Sequence, residues 1–324
     1  MVQFFRMNNL KKIIKELHFY LVNSFPVPIA NKLPLGALTK KERWSIGIYT
    51  GKSPVDFQAP KEIKNPVLTR RNVSDVRAGF VADPFMIKVD STWFMFFEVL
   101  NQQTRRGEIG LATSKDTKNW KYEKIVLAEP FHLSYPYVFE WMNEYYMIPE
   151  SHQANSIRLY KASKFPTEWS FVGNLSSGAS FLDASIFRHA DKWWLFTETN
   201  PQHKFDTLRL YYADELLGSW IEHPKSPIIT GNAHIARPGG RVVVKNDKII
   251  RYTQDCLPDY GTQVRAFEIT ELTTTSYQER EIEQKFLQSG RRKVRCPFWG
   301  TFRQLPALCT TFTPCFSIIF TSGC

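Results

Sequence analysis

The sequence lacks several features that would assign it to a common functional class. It has no uninterrupted apolar run of about 18 residues, so no segment is predicted to span a membrane. Its N-terminus has neither the apolar core nor the small-residue cleavage site of a signal peptide, which favours a cytoplasmic protein or one peripheral to a membrane. It contains no Gly-rich nucleotide loop, P-loop or Gly-x-Ser-x-Gly elbow, so we expect no cofactor.

Metal-binding patterns are also missing. The five cysteines include no Cys-x-x-Cys pair and have no neighbouring His. The seven histidines show no spacing typical of metal ligands. We therefore predict no metal site.

Acidic residues are absent from the segment 284–324, which holds six basic residues and four of the five cysteines. Without this segment the net charge of +11 falls to +5, so much of the excess positive charge belongs to the tail. Its basic residues form no continuous run and are followed by an apolar, Thr-rich stretch, so we predict no binding to nucleic acid. We interpret 284–324 as a poorly structured, deviant tail.

The N-terminal segment has the spacing of a short amphipathic helix. Between residues 8 and 23, Leu and Ile recur at helical intervals with lysines between them. Such a helix either packs on a domain or lies on a membrane surface, and we favour packing. Residues 1–41 are therefore interpreted as an N-terminal helix and linker.

The central part of the sequence is an internal repeat. Strand–turn–strand units rich in aromatic and β-branched residues are typical of hairpins, and three of them end in Glu. Counted from Asp83, Tyr135 and Asp183, an aromatic residue follows each turn ten positions later and a Glu comes fifteen positions later. The copies occupy 85–98, 137–150 and 185–198, with a looser copy at 241–254.

A third and a fourth strand follow each hairpin in the repeat. Four strands per unit of roughly 50 residues, arranged around a ring, predict an all-β fold, a β-propeller. A fifth copy of the third strand at 46–49 predicts five blades within residues 42–283. Nothing from residue 284 onward supplies the hairpin that this copy needs, so we expect an incomplete fifth blade. The predicted hairpin turns have three residues in the first three copies and two, Asn246 and Asp247, in the fourth.

Four residues come directly before the first strand of successive repeats: Asp83, Tyr135, Asp183 and Arg237. Because the innermost strands of a propeller line its central channel, these side chains are expected to converge at the channel mouth. Two carboxylates, a phenol and a guanidinium with aromatic neighbours suit a sugar. The alternative is that Asp83 and Asp183 only cap turns, but their common phase favours a functional role.

Three acidic residues, Glu98, Glu150 and Glu198, close the second strand of their repeats. They are either a second functional ring or outward-facing charges at strand ends, and the sequence does not favour one over the other. His234 lies three residues before Arg237 and is a further candidate for the pocket.

Four motifs resemble one family of five-bladed propellers. They are Trp-Ser-Ile-Gly-Ile-Tyr at 44–49, Val-Ala-Asp-Pro-Phe at 81–85, Arg-Pro-Gly-Gly-Arg at 237–241 and Tyr-Thr-Gln-Asp-Cys at 252–256. This family is the domain found N-terminal in plant glucosamine inositolphosphorylceramide transferases and in bacterial proteins linked to surface-polysaccharide synthesis. More distantly, the sequence resembles the propellers of arabinanases, β-xylosidases, invertases and levansucrases.

The resemblance to these hydrolases implies catalytic roles. In them an Asp opening the first blade is base or nucleophile, a second Asp orients the site, and a later Glu is the acid. Asp83 matches the first by motif and Asp183 the second by blade position. Arg237 stands where the Glu is expected and cannot act as an acid. Two alternatives follow: Asp83 and Asp183 form the pair themselves, or Glu150 or Glu198 supplies the acid. The candidates for binding substrate are Arg237, Tyr135, His234 and Glu98.

These observations predict a carbohydrate-active propeller that binds or processes a glycan, glycolipid or sugar-phosphate precursor in surface-polysaccharide biosynthesis. An Arg beside Asp and aromatic residues suits a sugar with a phosphate or carboxylate. The alternative is a non-catalytic carbohydrate-binding or protein-interaction propeller that serves a separate glycosyltransferase. The family also implies a His-rich hairpin completing the fifth blade, and the tail instead resembles a shifted reading frame or a spliced end.

Overall fold

The computed structural model describes residues 26–32, 44–258, 260–283, 299–301 and 317–319. The predicted helix at 8–23 and most of the tail lie outside these residues. Among the described elements, no helix is long and apolar enough to cross a membrane.

A single helical turn, α1 (Val27–Ala30), is attached to the propeller by the residue that follows it. The side-chain amide of Asn31 donates to the carbonyl oxygens of Val73 at 2.8 Å and Val76 at 2.9 Å. Its Oδ1 accepts from the backbone nitrogen of Ala78 at 2.9 Å. Because Asn31 is buried, these bonds fix the N-terminal segment to the start of the first inner strand.

Two short paired strands, β1 (Thr50–Ser53) and β2 (Asp56–Gln58), precede the first blade. The first two blades are four-stranded antiparallel sheets whose strands are ordered as in the sequence. The first consists of β3 (Ala78–Val89), β4 (Thr92–Asn101), β5 (Arg106–Ser114) and β6 (Lys121–Leu127). The second consists of β7 (Ser134–Trp141), β8 (Glu144–Glu150), β9 (Ser156–Lys164) and β10 (Glu168–Ser177).

The third and fourth blades follow the same plan, except that the inner strand of the fourth is split in two. The third consists of β11 (Leu182–His189), β12 (Lys192–Glu198), β13 (Leu208–Ala213) and β14 (Ile221–Glu222). The fourth consists of β15 (Arg237–Pro238), β16 (Val243–Lys245), β17 (Lys248–Asp255), β18 (Gln263–Leu272) and β19 (Tyr277–Ile282). Both β15 and β16 pair with β17.

Two-residue turns join the first two strands of each blade, as predicted for the fourth copy but one residue shorter than predicted for the other three. In the second, third and fourth blades both turn residues have positive φ, at Met142–Asn143, Ala190–Asp191 and Asn246–Asp247. Two positive φ values in succession are the conformation of a type I′ turn, whose twist matches that of the flanking strands. In the first three blades the turn is shorter than predicted because the third predicted residue already belongs to the second strand.

Large rings fill the space between the first two blades. Phe96 on β4 meets Trp169 edge-on at 5.4 Å between ring centroids, and Phe94 meets Phe165 at 5.0 Å. Tyr145 stacks on Phe165 at 3.9 Å. We call these five residues the aromatic interface. Contacts of this kind join neighbouring sheets face to face, as a propeller requires.

The structure confirms the prediction of an all-β propeller, but the described residues form four blades of at least four strands rather than five. Ile46, in the segment expected to form the third strand of the fifth blade, forms a β-bridge with Leu68. Both residues pack against the first blade. In the tail, β20 (Trp299–Thr301) pairs with β21 (Ser317–Ile319), and β20 lies beside β3. The count of five blades stays a prediction.

Candidate functional site

The inner strands of the first three blades are interrupted at equivalent positions. Asp83, Tyr135 and Asp183 have φ angles of 51°, 46° and 54°, and the strand register shifts around each of them. Positive φ is unfavourable for residues other than Gly, most of all for a bulky one such as Tyr. A bulge of this kind redirects a side chain out of the alternating strand pattern, and recurrence in three blades marks a common site.

The fourth blade makes its interruption with glycines. Arg237 pairs with Gln254 on β17, and the strand breaks after Pro238. A Cβ atom on Gly239 would lie only 2.7 Å from the carbonyl carbon of Thr253. The close approach of this segment to strand β17 therefore requires Gly at position 239. Gly240 then adopts a φ of 129°, in the positive region.

Arg237 is the centre of the buried polar network. Its Nε donates to Asp183 Oδ2 at 2.5 Å, and its Nη2 donates to Glu150 Oε2 at 3.5 Å. Gln254 Nε2 donates to the same Asp183 oxygen at 2.9 Å. The side chain of Arg237 is only 9% exposed, so its charge is held by these acids and not by solvent.

Two rings that sequence analysis did not identify flank Arg237. The guanidinium carbon lies 4.7 Å from the ring centroid of Phe205 and 4.9 Å from that of Tyr260. Trp44 meets Tyr260 edge-on at 6.2 Å. All three aromatic residues are partly exposed, whereas Arg237, which contacts two of them, is buried.

Five buried carboxyl groups surround this arginine. Burial raises the pKa of Asp83 well above its ordinary value, and the charges of Glu98, Asp183 and Glu150 add to that rise. Burial also raises the pKa of Glu198, to about 7. The charge of Arg237 opposes both shifts, which places these groups around one centre. We call Asp83, Glu98, Glu150, Asp183, Glu198 and Arg237 the channel mouth.

Asp183 and Glu150 form a close pair of carboxyl groups within the channel mouth. Burial raises the pKa of Asp183; the charge of Arg237 opposes this rise, and neighbouring Glu150 adds to it. Burial acts in the same direction on Glu150, but a hydrogen bond from His152 and the charge of Arg237 outweigh it and lower the pKa. The two carboxyl groups therefore differ in pKa, and that of Asp183 is the higher.

Histidines contact the carboxyl groups that close the second strands. His132 Nδ1 accepts from the backbone nitrogen of Gly107 at 2.9 Å, so Nε2 carries the proton and faces Glu98 Oε1 at 3.3 Å. His152 Nδ1 lies 2.9 Å from Glu150 Oε1. Neither was a candidate in the sequence, because each lies in a segment between hairpins, outside the repeat.

His234 and Tyr135 lie in different surroundings from the channel mouth. His234 is exposed and bonds Asp255 at 2.8 Å. Tyr135 is fully buried, and its hydroxyl lies 2.5 Å from Ser185 Oγ and 3.0 Å from the carbonyl oxygen of Gly240. Tyr135 therefore links three blades, and the substrate contact predicted for both residues stays a prediction.

The described residues contain no group of three or more His, Cys, Asp and Glu side chains arranged to hold a metal ion. The channel mouth and the rings beside it bring together carboxyl groups, a guanidinium and aromatic side chains. Glycosidases need two carboxyl groups placed roughly 5–10 Å apart on either side of the scissile bond. Asp183 and Glu150 instead share Arg237 as a hydrogen-bonding partner.

Comparisons with known proteins agree with this architecture. A family model described as the N-terminal part of glucosamine inositolphosphorylceramide transferase 1 matches residues 38–304. The protein of that name from Oryza sativa subsp. japonica is 35% identical over 289 residues, covering 82% of this chain and 38% of that protein. The one from Arabidopsis thaliana is 32% identical over 280 residues, covering 81% of this chain and 36% of that protein. The chain thus spans less than two fifths of the length of these relatives.

A solved structure supports the fold. The α-L-arabinanase of Cellvibrio cellulosa, determined in complex with arabinohexaose, superposes with a TM-score of 0.51. The two chains are 13% identical, and the match covers 72% of this chain and 87% of the other. At this identity the likeness concerns the propeller architecture alone.

Proposed function

The chain belongs to the family of glucosamine inositolphosphorylceramide transferase N-terminal domains, and on this premise we propose that it is a carbohydrate-binding propeller. In this proposal it holds a glycan or glycolipid precursor of surface-polysaccharide assembly at the channel mouth and presents it to a separate glycosyltransferase. The relatives are named for transfer of a sugar to a sphingolipid, and this chain corresponds to only their N-terminal part.

The observation that carries the proposal is the state of Arg237. It occupies the centre of the site, bonds Asp183 and Glu150, and lies against Phe205 and Tyr260. This arrangement pairs two of the four candidate catalytic residues, Asp183 and Glu150, with Arg237, and it retains the polar groups and rings that sugar recognition needs. Buried polar groups satisfy sugar hydroxyls, and exposed ring faces stack on the sugar.

A second candidate function, glycoside hydrolysis, is favoured by one observation. Glu198 is fully buried, and burial raises its pKa to about 7, the value suited to a general acid at neutral pH. Asp83 would then be the partner carboxylate, as its Asp-Pro motif implies. This candidate requires product formation, whereas the binding role requires none.

The test is a glycan-array screen of the wild type and of Phe205→Leu, which removes one ring face from beside Arg237. We expect saturable binding that Phe205→Leu weakens between about twofold and tenfold, since an aromatic contact contributes about 0.5–1.5 kcal/mol. The matched control is Phe171→Leu, an exposed ring on β10 in a different blade from Phe205, which should leave binding unchanged.

Mass spectrometry of each bound glycan separates the two candidates. Unaltered glycan supports the binding role. A shortened glycan from the wild type but not from Glu198→Gln would make the chain a hydrolase. Binding that Phe205→Leu and Phe171→Leu reduce equally would contradict the location of the site.

A further inference from the structure

We propose that the channel mouth binds the non-reducing end of a glycan, because the ring-shaped side chains around it admit a chain end and exclude an internal stretch of chain. This inference rests on the carbohydrate-binding role proposed above and specifies which part of the glycan is recognised.

Three histidines stand side by side along one half of the channel mouth. His132 lies between β6 and β7, His152 between β8 and β9, and His203 between β12 and β13. The ring centroids of His132 and His152 are 6.3 Å apart, and those of His152 and His203 are 5.9 Å apart. At these distances neighbouring rings are in contact and leave no passage between them.

Three larger rings continue the row along the other half. Phe205 follows His203 in the same loop, and its ring centroid lies 5.8 Å from that of Tyr260. Tyr260 in turn meets the ring of Trp44 at 6.2 Å. We call the six residues of this row the rim: His132, His152, His203, Phe205, Tyr260 and Trp44.

The rim stands over the buried floor of the channel mouth. His132 faces Glu98 at 3.3 Å, and His152 lies 2.9 Å from Glu150. Phe205 and Tyr260 flank Arg237. Every rim residue is partly or fully exposed, whereas the acids and the arginine below are buried. A glycan therefore has to pass the rim before it reaches the polar groups.

The loop between β12 and β13 joins the two halves of the rim. His203 and Phe205 have φ angles of 53° and 56°, which are unfavourable for residues other than Gly. Such a conformation persists only where its surroundings fix it. Here Glu198 Oε1 accepts from the backbone nitrogens at both ends of the loop, Asn200 at 2.7 Å and Thr207 at 3.4 Å. The loop therefore holds this part of the rim in place.

The rim is open on one side, above the first blade. The backbone nitrogen of Val81 on β3 donates to the carbonyl oxygen of Trp44 at 3.5 Å, and His132 follows β6, so the two ends of the rim flank that blade. Within the described part of the chain, neither Trp44 nor His132 has a further ring contact that would close the circle. An internal stretch of glycan needs two openings, one for each direction, whereas a chain end needs one.

The floor offers hydrogen-bond acceptors that suit a terminal sugar. Glu198 Oε2 and Gln254 Oε1 are buried and have no hydrogen-bond partner among the described residues. Buried polar atoms are nearly always paired, so donors are missing here. A sugar hydroxyl both donates and accepts, so it can pair with Glu198 whether or not that carboxyl group is ionised.

A terminal unit has one more free hydroxyl than an internal unit, because each glycosidic bond removes one. In a glycolipid the reducing end is joined to the lipid, which leaves the non-reducing end as the free one. The number of donors and the shape of the rim therefore favour the same part of the glycan.

The experiment uses the glycan array described above with the full chain. Its oligosaccharides are tethered by their reducing ends, and each is printed in two forms, unmodified and capped by one xylose on its outermost sugar. We expect each bound glycan to bind at least about tenfold more weakly when capped, because the added sugar meets the rim and occupies a hydroxyl that the floor would bind.

A variant that opens the rim provides a gain of binding. His203→Gly removes the exposed ring between the two halves, and Gly adopts the positive φ at this position without strain. We expect the capped glycans to gain affinity, so that the ratio of uncapped to capped binding falls to about threefold or less. The matched control is Ala190→Gly, also at a positive φ but at the far end of β11 from Asp183, which should leave the ratio unchanged.

The outcomes separate this inference from the proposed function. Equal or tighter binding of the capped forms by the wild type overturns recognition of the chain end while leaving carbohydrate binding in place. A ratio that His203→Gly does not change, with thermal unfolding showing that the variant is folded, contradicts exclusion by the rim. A lack of binding across the whole array overturns the proposed function and this inference with it.

Discussion

The channel mouth is buried and the aromatic interface is partly buried, and the two are opposite in chemistry. The aromatic interface joins the first two blades through ring contacts between uncharged side chains. The channel mouth places five carboxyl groups around Arg237. Burying rings is favourable in proportion to the apolar area removed from water, whereas burying a carboxylate is unfavourable unless a partner compensates it.

We infer from this difference that the aromatic interface stabilises the propeller and that the channel mouth is a candidate ligand site. The aromatic interface requires nothing from outside the chain. Burial keeps the pKa of Asp83, Asp183 and Glu198 raised in the channel mouth, and within the described part of the chain one oxygen of Glu198 has no hydrogen-bond partner. Regions that keep such unfavourable electrostatics are typical of functional sites. The two regions should therefore respond differently to substitution and to pH.

The largest expected effect is in the aromatic interface. Phe96→Ala removes a fully buried ring that packs against Trp169, and we expect a loss of about 4 kcal/mol in the free energy of unfolding. Because no titratable group is involved, the loss should be the same at about pH 5 and pH 7. Urea unfolding at both pH values measures it. Phe171→Ala, at an exposed ring, is the control and should cost below about 1 kcal/mol.

In the channel mouth, Arg237→Met should cost about 3 kcal/mol at pH 7, because it leaves Asp183 and Glu150 buried without their cation. The pKa of Glu150 is lowered in the folded protein, so its contribution is present above the ordinary value of 4.5 and is lost as the pH falls. The cost of Arg237→Met should shrink accordingly in acid. A cost that is as independent of pH as that of Phe96→Ala would remove the distinction between the two regions.

Glu198→Gln isolates a single unfavourable charge. Burial raises the pKa of Glu198 to about 7 from an ordinary 4.5, so the folded state loses stability as the pH rises through that window. Between about pH 5 and pH 8 the wild type should lose about 2 kcal/mol relative to Glu198→Gln. Thermal or urea unfolding across that range measures the difference. A difference that grows toward low pH would contradict the sign.

Much of the fold was predictable because the repeat is periodic in sequence. The hairpins and the common phase of Asp83, Tyr135, Asp183 and Arg237 follow from counting residues, and the structure places these positions at equivalent points of four blades. The positive φ shared by Asp83, Tyr135 and Asp183 was not predictable, because a bulge depends on pairing with the neighbouring strand.

The rings around Arg237 were missed for a different reason. Phe205 lies in the loop between β12 and β13, and Tyr260 lies between β17 and β18, so neither belongs to the repeated hairpin. The contact of Phe205 with Arg237 depends on how the third and fourth blades meet, and that of Tyr260 depends on the course of a loop within the fourth blade. Repeat spacing specifies positions on the strands but not the side chains that loops bring to them.

The smallest expected effect concerns the rim of the channel mouth, where Glu98 faces His132. Burial acts to lower the pKa of His132, but the hydrogen bond to Glu98 outweighs it, so the pKa is raised above its ordinary 6.5. The stabilisation from this contact is therefore complete below the ordinary pKa of histidine and is lost as the pH rises through the folded-state pKa of His132.

Glu98→Gln should lower the pKa of His132 and change the free energy of unfolding by about 1 kcal/mol at most. An NMR titration of the His132 ring measures the shift, with Glu140→Gln, an exposed carboxylate on β7, as the control. An unchanged pKa of His132 in Glu98→Gln would show that the acidic field of the channel mouth ends short of the rim.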